Sequence, residues 1–545
     1  MRNIFTLILL ASVLTLHAQT NIVVPKNVQS WIDKELAKAP NKTLMKDFNK
    51  GTFFAPKTSR VIGYLKGYNA AGSYTTGMIY TANNLTREDY PTVVKINPDG
   101  SFEADFILQY PQINNISIDD VWIPFYLEPG QTVAVIVDKA TQEAKKLDKG
   151  YYRYAGTTGQ INNELAAINF QSIKYNELND AVKTIAPDDF KKATLEKWKN
   201  AKGQLRKEFN QKKLAATTQV IALANQDVLF ATNLFDYAMY RQYEKSDTAN
   251  KIVQLPLESS FFNFINDLNL NNRELLTSNE FSTFINRLEY SEPVFKANRL
   301  VNNEAPALER ELRKYQVTDS LFYVLAPQHG NLILQIIHVR ALPFNLRYVF
   351  DNVTEADKNS YLNFSKKQLT EKFLAQEQDR LATADLKRKN NIGTDLPDTR
   401  AAQIFKDIIN RYKGKRLYVD FWATTCGPCV AGIKSNYAVR EKFTNTPEFD
   451  FVFITSEDES PKDDYNKFIQ EQKLGNTHYL KISDYHYLRE LFKFNGIPRY
   501  VIINEEGKLV DDNFQMYSFK ADVKKHFPQY GAAIDELSNN AAKKQ

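Results

Sequence analysis

Three different rhythms of apolar and polar residues divide this chain. Between residues 51 and 155 the apolar positions come in short β-branched or aromatic runs, among them Arg60-Val61-Ile62-Gly63-Tyr64-Leu65, Tyr90 to Ile96, and Thr132-Val133-Ala134-Val135-Ile136-Val137. Asn97-Pro98-Asp99-Gly100 and Glu128-Pro129-Gly130-Gln131 punctuate them; proline presets φ and glycine accepts positive φ, so both stretches read as turns. A β-rich, sandwich-like domain is expected over 51–155. From 156 to 390 the spacing of apolar residues becomes helical. Leu195, Trp198, Leu205 and Phe209 fall near one helical face, and Val220, Leu223, Asp227, Phe230, Leu234 and Tyr237 near another. Stripes at this spacing are core far more often than binding grooves, so a mostly α-helical domain is expected over 156–390. Lys366 to Arg388 has no Pro or Gly and leads into the linker Asn390 to Pro397. Residues 391–545 mix strand-like runs with helical stretches, an α/β pattern.

The first 50 residues differ again. Met1-Arg2-Asn3 and the apolar run Ile4 to Leu16 read as a secretory signal peptide over 1–18, with cleavage after Ala18. The run is about 13 residues, against about 20 for a membrane span. Retention of the segment as a signal anchor is the alternative. No cysteine follows the run, which argues against lipoprotein anchoring. Residues 19–50 form an N-terminal segment, and the expected location is the periplasm.

Both cysteines of the chain lie in Cys426-Gly427-Pro428-Cys429, directly after Tyr418-Val419-Asp420-Phe421-Trp422-Ala423-Thr424-Thr425. An apolar strand breaking into Cys-x-x-Cys with a helix behind it suits redox chemistry, because the helix N-terminus stabilises the thiolate of the leading cysteine. Lowering a thiol pKa from about 8.5 to about 7 raises its thiolate share at pH 7 from about 3% to about 50%. Three plainer readings compete. A structural staple across so short a loop contributes only about 2 kcal/mol by loop entropy. A metal centre needs four ligands, and the sequence has no second Cys pair, while His478 and His486 stand alone. The third is an inactive pair that keeps its cysteines. Redox exchange accounts best for the pattern, and no metal or other cofactor is expected.

Four features extend the reading: the run into Cys426–Cys429; Phe449-Asp450-Phe451-Val452-Phe453-Ile454; Gly496-Ile497-Pro498; and Tyr500-Val501-Ile502-Ile503-Asn504-Glu505-Glu506-Gly507-Lys508. Together they resemble the thioredoxin-fold domain of the TlpA/ResA-like group, the extracytoplasmic thioredoxins of bacteria, over about 391–530. The β-rich region resembles the small β-sandwich found ahead of such domains in Bacteroidetes. The resemblance implies that Cys426 is the exposed nucleophile and Cys429 the buried resolving thiol, with Gly427 and Pro428 completing the motif. Asp420 matches the buried acid that helps deprotonate the resolving cysteine; it also reads as an ordinary strand-end aspartate. Ile497 and Pro498 match the cis-proline loop that pairs with an extended substrate, and Trp422 is expected beside the disulfide as part of the substrate site. Two positions depart from the family pattern. Thr425 stands where an aromatic is usual, and Arg499 follows the proline where threonine is common, which is expected to add a positive charge near the active site.

Composition bounds the partners. The formal charge of +6 is small for 545 residues, and Lys and Arg alternate with Asp and Glu, so no nucleic-acid partner is expected. The 35 Phe and 29 Tyr residues provide core material for several domains. His329 and His338, in the helical region, read as structural. The expectation is a periplasmic thiol–disulfide oxidoreductase that reduces disulfides in client proteins and is recharged by a membrane thiol–disulfide electron donor. A disulfide isomerase, with the N-terminal regions supplying the client-binding surface in a homodimer, is the alternative within the class. The alternative outside it is an exported binding protein whose thiols act as a redox switch.

Overall fold

The computed structural model describes residues 22–542 except 73, 120, 140–150, 326–328, 391 and 445; the expected signal peptide lies outside the described residues. Short β-branched runs build the first unit. β1 (Lys57–Lys66), β2 (Thr76–Tyr80), β3 (Ala82–Asn83), β4 (Glu88–Asp89), β5 (Thr92–Ile96), β6 (Ser101–Leu108), β7 (Gln112–Ile118), β8 (Val121–Leu127), β9 (Thr132–Asp138) and β10 (Tyr152–Gly156) follow in sequence. Eight of them form one sheet in the order β10-β9-β1-β6-β5-β2-β7-β8, while β3 and β4 pair only with each other. Period-two alternation turns Val61, Phe102, Phe106, Ile116, Ile123, Phe125, Val133 and Val135 into one apolar cluster. Every strand of the sheet feeds that cluster, and the Tyr154 hydroxyl of β10 donates to the Pro124 carbonyl of β8. The two ends of the strand order therefore meet, and the sheet curls over its own core. The outer face of β1 and β9 is covered by the helix Lys26–Ala37, through Val28 and Ile32 against Ile62, Ala134 and Ile136. Gly100 and Gly130, at φ 82° and 81°, supply the positive-φ turns expected from the two Pro/Gly stretches.

Helices fill the chain from Gly159 to Lys389. Pro187–Lys212 and Ala216–Glu244 form an antiparallel pair, closed by Lys213 in the left-handed region at φ 53°. Trp198 stacks on Phe230 at 6.3 Å and donates its indole N–H to Asp227 Oδ1 at 2.8 Å. The aromatic stripes therefore form core. His338 is half-buried, stacks on Tyr315 at 3.5 Å, and desolvation lowers its pKa to about 3, so it is a neutral packing residue.

The C-terminal unit holds a five-stranded sheet in the order β13-β12-β11-β14-β15. Its strands are β11 (Arg416–Phe421), β12 (Phe449–Ser456), β13 (Thr477–Leu480), β14 (Arg499–Ile503) and β15 (Leu509–Phe514). β11, β12 and β13 run parallel, whereas β14 and β15 are antiparallel additions. Alternation on β11 sends Tyr418 to one apolar layer, with Cys429, Ile433, Phe468 and Phe519, and sends Leu417, Val419 and Phe421 to the other, with Phe405, Ile408, Tyr485 and Leu488. Helices thus cover both faces.

The three units are joined by specific contacts. The helix Ile482–Leu491 lies against β2 and β5, where His486 Nδ1 meets Thr76 Oγ1 at 2.9 Å and Glu490 accepts from the Val93 amide at 3.0 Å. From the helical region, Arg347 donates to Asp511 at 3.0 Å and to the Asn513 carbonyl at 2.7 Å. No helix among the described residues is long and apolar enough to cross a membrane.

Candidate active site

β11 is buried along its whole length and ends in a loop tied to the segment after β12. The Trp422 amide continues the ladder by donating to the Ile454 carbonyl at 3.1 Å. The Thr424 amide donates to Ser460 Oγ at 3.0 Å, and the Thr425 hydroxyl donates to the Glu459 carbonyl at 2.9 Å. These bonds fix the exit of the strand, so the next residue, Cys426, enters at a set position.

Cys426 is the N-cap of the helix Gly427–Ser435, in extended conformation at φ −89° and ψ 100°. Its sulfur accepts from the Cys429 amide at 3.2 Å, the bond that a Ser or Asp oxygen makes at an ordinary N-cap. Pro428 occupies the first turn, where a missing N–H costs nothing. The two sulfurs are joined as a disulfide across a Cα–Cα distance of 5.3 Å. Their environments differ: Cys429 is 1% exposed, whereas Cys426 is half-buried and Gly427 and Pro428 are exposed. A partner arriving from solvent therefore meets Cys426 first.

The Ile497–Pro498 peptide is cis and faces the thiols. Cys426 Sγ lies 3.8 Å from the Ile497 carbonyl oxygen, a contact without a shared hydrogen while the disulfide is closed. Gly496 and Pro498 are exposed beside it, leaving an open backbone edge next to the accessible sulfur.

Asp420 lies below. Alternation along β11 places it on the face that the active-site helix covers, and it is 4% exposed. Its Oδ1 has no hydrogen-bond partner among the described residues. Burial pushes its pKa up to about 8, partly offset by the Arg440 guanidinium. Near neutral pH this carboxyl can therefore exist in either protonation state.

Two expectations are corrected. Trp422 is fully buried against Phe468 and Tyr465, at centroid distances of 5.1 and 6.2 Å, so it cannot touch a docked client and instead packs beneath the thiols in the layer that holds Cys429. Arg499 does not add an open positive charge beside the proline: its guanidinium donates to the Phe492 carbonyl at 3.0 Å and faces Asp89, Asp511 and Asp512.

The structure also brings in residues that sequence reasoning missed. Arg489 is 6% exposed and donates to the Asn495 carbonyl at 2.7 Å and to the Glu459 carboxylate. It thus ties together the two loops that flank Cys426. Asn495 in turn donates its amide and its side chain to Asp89 of β4, at 3.0 and 3.1 Å. The Asn495-Gly496 turn ahead of Ile497-Pro498 was a visible signal; its partner, 406 positions away, was not.

Residues 393–523 match the Redoxin family model. Over 134 residues the chain is 25% identical to probable nucleoredoxin 1 of Arabidopsis thaliana, covering 24% of this chain and about a quarter (23%) of that protein. The thioredoxin domain of a thiol-disulfide oxidoreductase from Bacteroides vulgatus is 24% identical, with 22% of this chain and 83% of that one covered at a TM-score of 0.20. A thiol:disulfide interchange protein from a Bacteroides species is likewise 24% identical, with 22% and 76% covered and a TM-score of 0.20. The matched segment begins at Gly393, runs through the Cys426–Cys429 helix and the Ile497–Pro498 loop, and ends in the helix Phe519–His526. The C-terminal unit of this chain is a thioredoxin-like domain of the Redoxin family.

Proposed function

We propose that this protein is a periplasmic thiol–disulfide oxidoreductase that reduces disulfides in client proteins through Cys426 and Cys429. The observation that carries the reading is the asymmetry of the pair: one accessible sulfur at a helix N-terminus, one buried sulfur, and a buried carboxyl whose pKa lies close to neutrality.

The chemistry follows from those positions. In the dithiol form, the Cys426 thiolate is stabilised by the free amides of the first helical turn, including that of Cys429. It attacks one sulfur of a client disulfide lying along the Ile497–Pro498 edge. A Cys426–client disulfide forms, the client S–S bond breaks, and the departing client sulfur leaves as a thiolate that takes up a proton. Cys429 then gives its proton to the Asp420 carboxylate and attacks Cys426 Sγ. The Cys426–Cys429 disulfide closes, and the second client sulfur leaves and is protonated. Two electrons have passed to the client. A dithiol protein at the membrane reverses the exchange and restores the reduced pair. Gly427-Pro428 between the thiols resembles thioredoxin, with a potential near about −270 mV, which favours the reducing direction. The apolar N-terminal run supports export.

Turnover of insulin with dithiothreitol as electron source tests this. The full chain is expected to speed precipitation of the insulin B chain well beyond dithiothreitol alone, and the Cys426→Ser/Cys429→Ser double variant is expected to match the uncatalysed rate. A wild-type protein that gives no acceleration would sink the proposal.

A further inference from the structure

The loop that presents Ile497 and Pro498 is not held by the redox domain alone. Asp89, on the β3–β4 hairpin of the β-rich unit, accepts the backbone amide of Asn495 with one carboxylate oxygen and its side-chain amide with the other. The hairpin is itself braced from the far side. Arg380 binds Glu88, Arg87 pairs with Glu289 at 2.7 Å, and Arg340 donates to the Asn84 carbonyl at 2.6 Å while holding Glu289 through two bonds of 3.0 Å. Arg340 and Glu289 are 5% and 4% exposed, so this brace is buried in the helical unit. On the redox side, Arg489 holds the Asn495 carbonyl and the Glu459 carboxylate, and the Glu459 carbonyl accepts the Thr425 hydroxyl next to Cys426. A continuous set of bonds thus runs from the helical unit through the hairpin to both sides of the accessible sulfur.

We propose that Asp89 is a positioning residue for the Ile497–Pro498 loop, and that through it the β-rich and helical units set how tightly a protein client docks beside Cys426. This rests on the proposed function but is read separately from it. Asp89 touches neither thiol, so its removal acts on docking of an extended client and spares the sulfur chemistry. Two bonds to one carboxylate are lost together, and a bond to a charged group is worth about 1.5–3 kcal/mol, which corresponds to a tenfold or larger change in a binding constant.

The test uses the full chain with two changes of nearly constant volume. Asn495→Asp sets a second carboxylate against Asp89, and adding Asp89→Asn keeps a side-chain oxygen to accept the residue-495 backbone amide while remaking the side-chain bond with donor and acceptor exchanged. For insulin reduction, Asn495→Asp is expected to raise KM about tenfold with kcat within about twofold, and the double variant is expected to return KM to within about twofold of wild type. Hydrogen exchange at the Asn495 amide supplies a readout independent of activity: slow in wild type, at least about tenfold faster in Asn495→Asp, slow again in the double variant. A wild-type protein that fails to reduce insulin but protects this amide would overturn the proposed function and leave the positioning role standing. An unprotected Asn495 amide in wild type, an unchanged KM in Asn495→Asp, or a double variant no better than the single one would overturn the positioning role.

Discussion

Cys429→Ser is expected to accumulate covalent mixed disulfides with client proteins, while Cys426→Ser accumulates none and loses turnover. The asymmetry of burial drives this. Cys426 is half-buried at the mouth of the site, and Cys429 is 1% exposed beneath it. With Cys429 replaced, the first exchange still proceeds at Cys426, but the buried sulfur that would expel the client is gone. The intermediate then waits for an outside thiol. With Cys426 replaced, the remaining thiol is out of a client's reach and lacks the N-cap amide that lowers a thiol pKa. Non-reducing electrophoresis of each variant incubated with oxidised insulin reads the result directly. Equal trapping by both variants would overturn the assignment of roles.

The second large effect is at Asp420. Burial raises its pKa from 3.8 to about 8. The fold therefore binds this proton more tightly than the unfolded chain does. The resulting stabilisation is full below about pH 4, is lost progressively as pH rises towards about 8, and changes no further above that. By pH 7 the loss is about 4 kcal/mol, at about 1.4 kcal/mol per pH unit. Asp420→Asn has no proton to lose. Its buried amide leaves donors unpaired at about 1–3 kcal/mol, so the variant is expected to be less stable than wild type below about pH 4 and more stable at pH 7, with the curves crossing between about pH 4.5 and 6. The same change removes the proposed proton acceptor for Cys429 and is expected to slow release of the trapped client about a hundredfold. Hydrogen exchange of the β11 amides across this pH range measures the first expectation, and rapid-quench release of a client from Cys426 measures the second. Parallel stability curves would show that Asp420 titrates normally and would remove it from the mechanism.

Much of this was legible in the sequence because it depends on short-range pattern. The apolar run into Cys426 is β11, the glycines at 100 and 130 make the positive-φ turns, and Trp198, Phe230 and Tyr237 pack as a helical stripe should. What was not legible depends on burial and on distance along the chain. Trp422 looked like a residue at the substrate surface, yet a strand covered on both faces leaves no exposed side at its end. Pro91 interrupts the run from Tyr90 to Ile96, so the ladder begins at Thr92 and the preceding residues turn back as the small β3–β4 hairpin. That hairpin carries Asp89, which has no local signature and meets Asn495 only because the helix Ile482–Leu491 lies against β2 and β5.

The midpoint potential of the Cys426–Cys429 couple, taken by thiol labelling of the full chain in dithiothreitol and glutathione buffers, tests the reductive reading most directly. A value below about −230 mV is predicted and places the pair with thioredoxin-like reductants. A value above about −180 mV would contradict the account and favour isomerase or oxidase work instead.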